Sequence, residues 1–137
     1  MKIVVDTNIL FSFFRENPVR SILLSSSSLG LEFFCPDLAI EELEKKSKQL
    51  SKYAGVKETE IRSMIGTLRY IVKVVPEDFF SEFALVSKKI TPDQKDAPFF
   101  ALALKLDASI WTNEPRLKRQ SKVPVLSTAN LREKLGV

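Results

Sequence analysis

Four acidic positions in this sequence are placed where carboxylates could do chemistry instead of only covering a surface. Each ends a predicted strand or opens a predicted helix: Asp6, Glu41 or Glu42, Asp96 and Glu114. In open α/β sheets, ligands bind beside the carboxyl ends of the strands, so these positions can converge at one edge. Carboxylates gathered there would repel one another by on the order of several kcal/mol. A divalent cation would remove that repulsion.

The chain contains no histidine, and this excludes several kinds of active site. Ser-His and Cys-His catalysis, histidine general bases and histidine zinc sites all need an imidazole. Carboxylate oxygens alone suit Mg²⁺ or Mn²⁺. Such an ion activates water and neutralises charge on phosphate oxygens. The acids therefore predict metal-dependent phosphodiester or phosphoryl-transfer chemistry.

An ordinary structural role is open for each acid taken singly. Asp6 could cap the helix that follows it. Asp96 and Glu114 could be helix-start residues that the helix macrodipole favours, and Glu41 and Glu42 could be exposed neighbours. It is the joint placement of the acids on converging loops that favours a common site.

The totals bound the kind of protein. A chain of 137 residues has the length of one ordinary domain, and we expect a single domain over residues 1–137. No apolar run is long enough for a membrane span, and no signal-peptide pattern is present. The lone cysteine, Cys35, permits no internal disulfide, which fits a reducing cytoplasm. A net charge of +4 is a mild bias toward polyanions.

Strands and helices alternate along the chain, which is typical of an α/β fold with a parallel sheet. We expect a central sheet of about five strands flanked by helices on both faces. The apolar and β-branched runs predict strands at Lys2–Val5, Leu31–Cys35, Tyr70–Val75, Ser109–Thr112 and Val123–Leu126. A proline inside the last run suggests that this strand lies at a sheet edge.

Helices are predicted between the strands. The first two are expected over Ile9–Phe14 and Val19–Leu24, and Ala97–Leu106 is apolar nearly all round, as a central buried helix would be. A third helix is expected to begin with a cap at Asp37, run through Leu50 and break at Gly55, and a fourth to run from Glu58 or Thr59 through Leu68. Another amphipathic helix is expected to bury Phe79, Phe83, Val86 and Ile90. A last helix is expected after a cap at Thr128.

Four segments, in the same order and with similar spacing, resemble the acidic motifs of PIN-domain nucleases: Asp6–Leu10, Pro36–Leu43, Asp93–Ala103 and Ile110–Glu114. In the second motif of that family the glutamate precedes a leucine, which selects Glu42 over Glu41. In the third motif Asp96 matches the ligand. The fourth usually ends in aspartate, where this chain has Glu114. The resemblance extends from Met1 to about Leu126.

The resemblance implies a PIN-like α/β fold and Mg²⁺- or Mn²⁺-dependent cleavage of RNA. It also implies frequent homodimers, and many prokaryotic members are toxins held by a small antitoxin. Asp6 and Asp96 are expected to bind the ion, Glu42 to ligate it or position water, and Glu114 to complete the cluster through water. The longer Glu114 side chain could be absorbed by such a water or could weaken the site.

Neighbouring polar residues complete the prediction. Thr112 and Asn113 are plausible groups for orienting the acids, and Asn8 either holds Asp6 or is an ordinary turn residue. Five cations near the motifs are candidate phosphate contacts, although such runs are also typical of a solvated surface: Lys45, Lys46, Arg116, Lys118 and Arg119.

Two other functions stay open. A PIN-like scaffold with a weakened fourth acid could bind RNA or a protein without cutting. A receiver-type phosphotransfer fold is the other alternative, but it needs paired acids beside Asp6, and Thr7-Asn8 follows instead.

Overall fold

A five-stranded, entirely parallel sheet forms the centre of the computed structural model, which describes residues 1–137. The strand order is β3-β2-β1-β4-β5. Ile3, Val4 and Val5 have no exposed surface, as expected for a strand covered on both faces. The strands are β1 (Lys2–Val5), β2 (Glu32–Pro36), β3 (Val72–Val75), β4 (Ser109–Trp111) and β5 (Val125–Leu126). The predicted α/β fold is confirmed, and β5 lies at an edge.

Eight helices connect or follow these strands. They are α1 (Thr7–Ser12), α2 (Pro18–Leu24), α3 (Asp37–Lys45), α4 (Ser47–Ala54), α5 (Glu58–Ile71), α6 (Ala84–Ile90), α7 (Ala97–Leu106) and α8 (Thr128–Leu135). Short 3₁₀ turns occupy Glu77–Phe79, Ser81–Phe83, Gln94–Asp96 and Pro115–Lys118. No helix combines the length and the apolar character that crossing a membrane requires.

The strand order changes direction beside β1. The chain moves outward from β1 to β2 and β3, then returns to place β4 on the other side of β1. Right-handed crossovers therefore put the helices of the two halves on opposite faces of the sheet. The α7 helix contacts β1, β2 and β4, and its apolar residues from Phe99 to Ala103 are buried, as its composition predicted, while Leu104 and Leu106 are half-buried. The gap between the carboxyl ends of β1 and β4 is the switch point where such sheets bind ligands.

The predicted helix from Asp37 through Leu50 is two helices. Lys46 leaves the helical conformation between α3 and α4, with φ −99° and ψ 19°. The bend allows Leu43 in α3 and Leu50 in α4 both to be fully buried. Asp37 lies in the first turn of α3, and its side chain makes no capping hydrogen bond.

The prediction that β3 begins at Tyr70 is wrong. The α5 helix continues to Ile71 and leaves Tyr70 93% exposed, and the strand starts at Val72. The apolar face formed by Ile61, Ile65 and Leu68 extends the helix past the point where β-branched residues begin.

The prediction of a core helix through Phe79, Phe83, Val86 and Ile90 is also wrong. Two 3₁₀ turns precede α6, and Phe79 and Val86 are exposed. Phe80 and Ser87, each one position further along, are buried instead. A run of 3₁₀ turns has a different residue spacing from an α-helix, so it shifts which side chains face the core.

The last helix is capped one residue earlier than predicted. Ser127 accepts a hydrogen bond from the Asn130 backbone N–H, and the Asn130 side chain accepts one from the Ser127 backbone N–H, which is a capping box. Thr128 is therefore the first residue of α8, and its hydroxyl accepts a hydrogen bond from Nε1 of the buried Trp111 at 3.1 Å.

Candidate metal centre

A cleft of about 520 Å³ opens beside the carboxyl ends of β1 and β4. It is lined by side chains from four separate parts of the chain. The predicted acids are all among them: Asp6, Glu42, Asp96 and Glu114. Three cations, Lys46, Lys95 and Arg116, also line it, together with Phe11, Leu38 and Phe99.

Asp6 is held in place by two hydrogen bonds. It is the residue between β1 and α1, and its side chain is only 6% exposed. Oδ1 accepts a hydrogen bond from the backbone N–H of Thr7 at 2.8 Å, and Oδ2 accepts one from the Thr112 hydroxyl at 2.7 Å. Asp6 thus has the capping position at α1, while its second oxygen is oriented by Thr112, the residue after β4.

Thr112 connects three parts of the site. Its hydroxyl donates to Asp6 and accepts hydrogen bonds from Asn8 Nδ2 at 3.3 Å and from the Glu114 backbone N–H at 3.0 Å. Only 1% of the residue is exposed. A hydroxyl is the group that can donate once and accept twice at this point. Thr112 therefore ties the position of Asp6 to the turn that carries Glu114.

Asp96 is a buried carboxyl that does not cap its helix. It ends the 3₁₀ turn Gln94–Asp96 and precedes α7, yet its side chain makes no capping hydrogen bond. It is 8% exposed. The helix macrodipole can still favour a carboxylate at this position, but burial of the carboxylate without a capping hydrogen bond is costly unless a cation is near, which favours a ligand role for Asp96 over a purely structural one.

Burial and nearby negative charges raise the pKa values of the two buried acids. Burial raises the pKa of Asp6, and hydrogen bonds from Thr112 and Thr7 oppose this rise, while the charges of Glu42 and Glu114 add to it. Burial raises the pKa of Asp96 to about 6, helped by the negative charge of Asp6. A nearby cation would favour the charged form of both.

The other two acids are paired with cations at the rim. Glu42 Oε1 lies 3.1 Å from Lys46 Nζ. Glu114 Oε1 lies 3.1 Å from Arg116 Nε and also accepts from the Arg116 backbone N–H at 3.2 Å. These contacts with Arg116 lower the pKa of Glu114. Because the rim acids turn toward cations, no three acidic side chains approach closely enough to share one ion.

The residues of the cleft nevertheless fit a hard divalent ion. The donor set consists of carboxylate oxygens, and the protein's thiol, on Cys35, is buried with its pKa raised to about 12 by that burial. Burial raises the pKa of both Asp6 and Asp96, and the charge of Asp6 adds to the rise at Asp96, so a cation beside them would offset the cost of their charged forms. The side chains of Glu42 and Glu114 are 42% and 33% exposed and long enough to rotate toward such an ion.

Not every predicted site residue lies in the cleft. Asn8 lines it and reaches Thr112, but the Asn113 side chain accepts a hydrogen bond from the Thr128 backbone N–H at 2.8 Å, at the start of α8. Lys118 donates to Asn130 at 2.6 Å. Two further predicted phosphate contacts, Lys45 and Arg119, are exposed outside the cleft.

Lys95 and Phe11 were missed in the sequence. Lys95 lines the cleft beside Asp96 and lies 3.9 Å from Asp93. Its position directly before a motif acid was a usable signal. Phe11 is one turn beyond the motif residue Asn8 on α1, so the helical period of the first motif would have placed it on the same side.

The sequence of the chain matches a known protein family. The sequence model of a family described as PIN domain matches residues 4–135. No curated protein shows significant sequence similarity to the chain.

Solved structures share the fold at low sequence identity. VapBC2 from Rickettsia felis, solved bound to a DNA fragment from its promoter, aligns with a TM-score of 0.66 and 15% identity over 93% of this chain and 98% of that one. PAE2754 from Pyrobaculum aerophilum aligns with a TM-score of 0.66 and 14% identity over 99% of this chain and 90% of that one. VapBC-1 from nontypeable Haemophilus influenzae aligns with a TM-score of 0.65 and 19% identity over 94% of this chain and 99% of that one.

Proposed function

This chain belongs to the PIN-domain family, and from that membership and the cleft we propose that it is a ribonuclease dependent on Mg²⁺ or Mn²⁺. The observation that carries the proposal is Asp96. A buried carboxyl without a side-chain capping hydrogen bond lines the same cleft as Asp6, and the negative charge of Asp6 adds to the rise in the pKa of Asp96 that burial causes. Two such groups are the expected ligands of a hard cation.

The protein's own side chains have separable tasks in this proposal. Asp6 and Asp96 hold the ion, and Thr112 and Thr7 fix the orientation of Asp6 through their hydrogen bonds. Glu42 positions the attacking water or joins the ligands, and Glu114 completes the acidic cluster. When bound, the ion lowers the pKa of water and neutralises charge on the phosphate.

The cations at the rim bind the RNA backbone. Lys46, Lys95 and Arg116 line the cleft, so phosphates on either side of the cleaved bond can contact them. Such contacts position a strand without reading its sequence. If they are used, the affinity for RNA falls steeply as salt concentration rises.

Asp6→Asn and Asp96→Asn test the proposed centre. Each replaces a charged ligand with a neutral group of the same shape, and each should abolish Mn²⁺-dependent cleavage of single-stranded RNA. Asp78→Asn, an exposed aspartate outside the cleft, is the matched control and should cut normally. In-line attack by water leaves a 5′-phosphate and a 3′-hydroxyl, which end-labelled products would reveal. Cleavage that persists in both cleft variants would refute the centre.

The toxin role and the assemblies are proposed on the family resemblance. Two of the similar structures are of VapBC proteins, which supports a small antitoxin as a partner. A homodimer is the expected oligomeric state. Co-purification with the product of a neighbouring small reading frame tests the first, and sedimentation of the isolated chain tests the second.

A binding module without cleavage is the second candidate. The engagement of Glu114 with Arg116, and the absence of three clustered acids, favour it. Thermal unfolding with and without Mn²⁺ or Mg²⁺ distinguishes the two, because a ligand of the native state must raise stability. A metal centre predicts a higher midpoint with at least one ion, and a module with no centre predicts no change.

A further inference from the structure

Two rings and a guanidinium form a continuous row that starts inside the cleft. The Phe11 ring lines the cleft, and its centroid is 5.0 Å from that of Tyr53 on α4, with an interplanar angle of 51°. The Arg15 guanidinium lies 5.0 Å from the Tyr53 centroid. We call Phe11, Tyr53 and Arg15 the stacking row.

The far end of the stacking row enters a second groove. This groove has a volume of about 510 Å³, and Arg15 and Arg20 both line it, with Phe14 and Met64 on its apolar side. The row therefore connects the acidic cleft to a groove that carries two arginines.

Arg15 is free to bind a ligand. Its side chain is exposed, and the five ion pairs of the protein all involve other residues. A guanidinium stacks on planar groups and donates several hydrogen bonds in a fixed plane. Next to a partly exposed tyrosine ring it can pack on a base and contact the adjoining phosphate.

We propose that the stacking row is a binding subsite for an unpaired nucleotide of single-stranded RNA, one or two nucleotides from the cleaved bond. The inference rests on the proposed nuclease function, and it assigns the place at which the RNA strand leaves the cleft. Aromatic side chains beside cations bind single strands because every base has a stacking face. The subsite therefore favours unpaired RNA over a duplex and reads little sequence.

The unpaired guanidinium of Arg15 beside the Tyr53 ring favours RNA over a protein in this position. Adjacent groups of the row are 5.0 Å apart, which leaves no room for a base between them, so the row can hold one base on its exposed side. The second groove has two arginines and two glutamates, Glu16 and Glu60, among its lining residues, so its formal charges cancel and the phosphate contact depends on Arg15, which forms no ion pair. A protein segment bound there is the alternative outcome of the test.

Binding of RNA by uncut complexes tests the subsite. Every variant is made in the Asp6→Asn background, and the probe is a labelled single-stranded RNA of about eight nucleotides. Tyr53→Leu should bind roughly five- to tenfold more weakly, in the range of one lost base–aromatic stack. Tyr53→Phe should keep the affinity, since it keeps the ring. Arg15→Gln should weaken binding and reduce the salt dependence by about one phosphate contact.

The chain supplies matched controls. Tyr70 is its other tyrosine and is 93% exposed outside both grooves, and Arg62 is exposed on α5 outside both grooves. Tyr70→Leu and Arg62→Gln should therefore change the affinity little. Circular dichroism and thermal unfolding of Tyr53→Leu establish that it is folded, and Arg15→Gln gives an independent reading because its side chain is exposed.

A probe with abasic sites separates stacking from phosphate binding. Removing the bases should weaken RNA binding by the protein that retains Tyr53. The same change should have little effect on the affinity of Tyr53→Leu, which has already lost the stacking ring. Equal affinities for Tyr53→Leu and Tyr70→Leu, or an unchanged affinity of Arg15→Gln, would overturn the subsite. So would weakened binding of a protein partner by Tyr53→Leu with RNA binding intact. Cleavage that persists in both Asp6→Asn and Asp96→Asn, with the effect of Tyr53→Leu on RNA binding still present, would leave the subsite standing without the proposed metal centre.

Discussion

Replacing Asp96 by asparagine should stabilise the metal-free protein. The raised pKa of Asp96, about 6 instead of 3.8, means that folding penalises its charged form. This displacement corresponds to about 3 kcal/mol if fully expressed. Because the carboxyl group faces an open cleft, water screens part of this penalty, and a stabilisation of about 1–2 kcal/mol is expected. For a chain of this length that is an increase in unfolding midpoint of about 5 °C.

The sign of the pH dependence follows from the same pKa. A carboxyl with a raised folded-state pKa contributes most stability below its unfolded pKa and loses it as the pH rises through about 6. Wild type and Asp96→Asn should therefore differ little at about pH 4 and by the full amount at about pH 7.5. The measurement is thermal unfolding in EDTA at both pH values, with Asp78→Asn as the control for removing an exposed carboxylate.

Adding Mn²⁺ should reverse the order of stability. Wild type gains about 2.7 kcal/mol when the ion exceeds its dissociation constant a hundredfold, and Asp96→Asn, which lacks a ligand, gains much less. An Asp96→Asn protein that is less stable than wild type in EDTA at about pH 7.5 would refute the assignment of Asp96 as an uncompensated buried charge. An equal gain from Mn²⁺ in both proteins would refute its role as a ligand.

Two further substitutions test the contacts around the cleft. Thr112→Val removes the hydroxyl that bonds to Asp6, Asn8 and Glu114 and should lower the free energy of unfolding by about 1–3 kcal/mol. Thr112→Ser keeps the hydroxyl and should retain most of the stability when both variants are unfolded in urea. An equal loss in both variants would show that the methyl group matters instead of the hydroxyl. Arg116→Gln releases Glu114 from its ion pair, so calorimetry should show tighter Mn²⁺ binding, while the affinity for RNA should fall. Lys118→Gln is the control, because Lys118 bonds to Asn130. An unchanged Mn²⁺ affinity of Arg116→Gln would show that Arg116 does not compete with the ion.

The positions of the acids could be predicted because they follow from the sheet. Asp6 and Glu114 come after strands, and parallel strands present their carboxyl ends at one edge. The apolar runs that define β1, β2 and β4 are long enough to identify. Once the strands are known, the loops that carry the motif acids have to meet near β1.

Other features depend on tertiary packing that a one-dimensional pattern does not contain. The bend at Lys46 is set by the simultaneous burial of Leu43 and Leu50. The exposure of Phe79 follows from 3₁₀ turns whose spacing differs from that of a helix. Tyr53 lies on α4, and no local pattern indicates that its ring reaches Phe11 on α1.

The pairing of Glu114 with Arg116 also depends on side-chain geometry. A glutamate has one more methylene than the aspartate usual in the fourth motif, and this length lets it curl back onto the backbone N–H of its own 3₁₀ turn. The sequence indicated a departure at this position, but the direction of the side chain required the structure.

The lining of the cleft implies an order of assembly. Its four carboxylates and three cations, Lys46, Lys95 and Arg116, leave one negative charge in excess, so an incoming strand meets net repulsion in the empty cleft. A divalent ion changes this balance to one positive charge in excess. If the proposed centre binds a divalent ion, the protein should recruit the ion first and the polyanion second, and each should strengthen the binding of the other by the same factor.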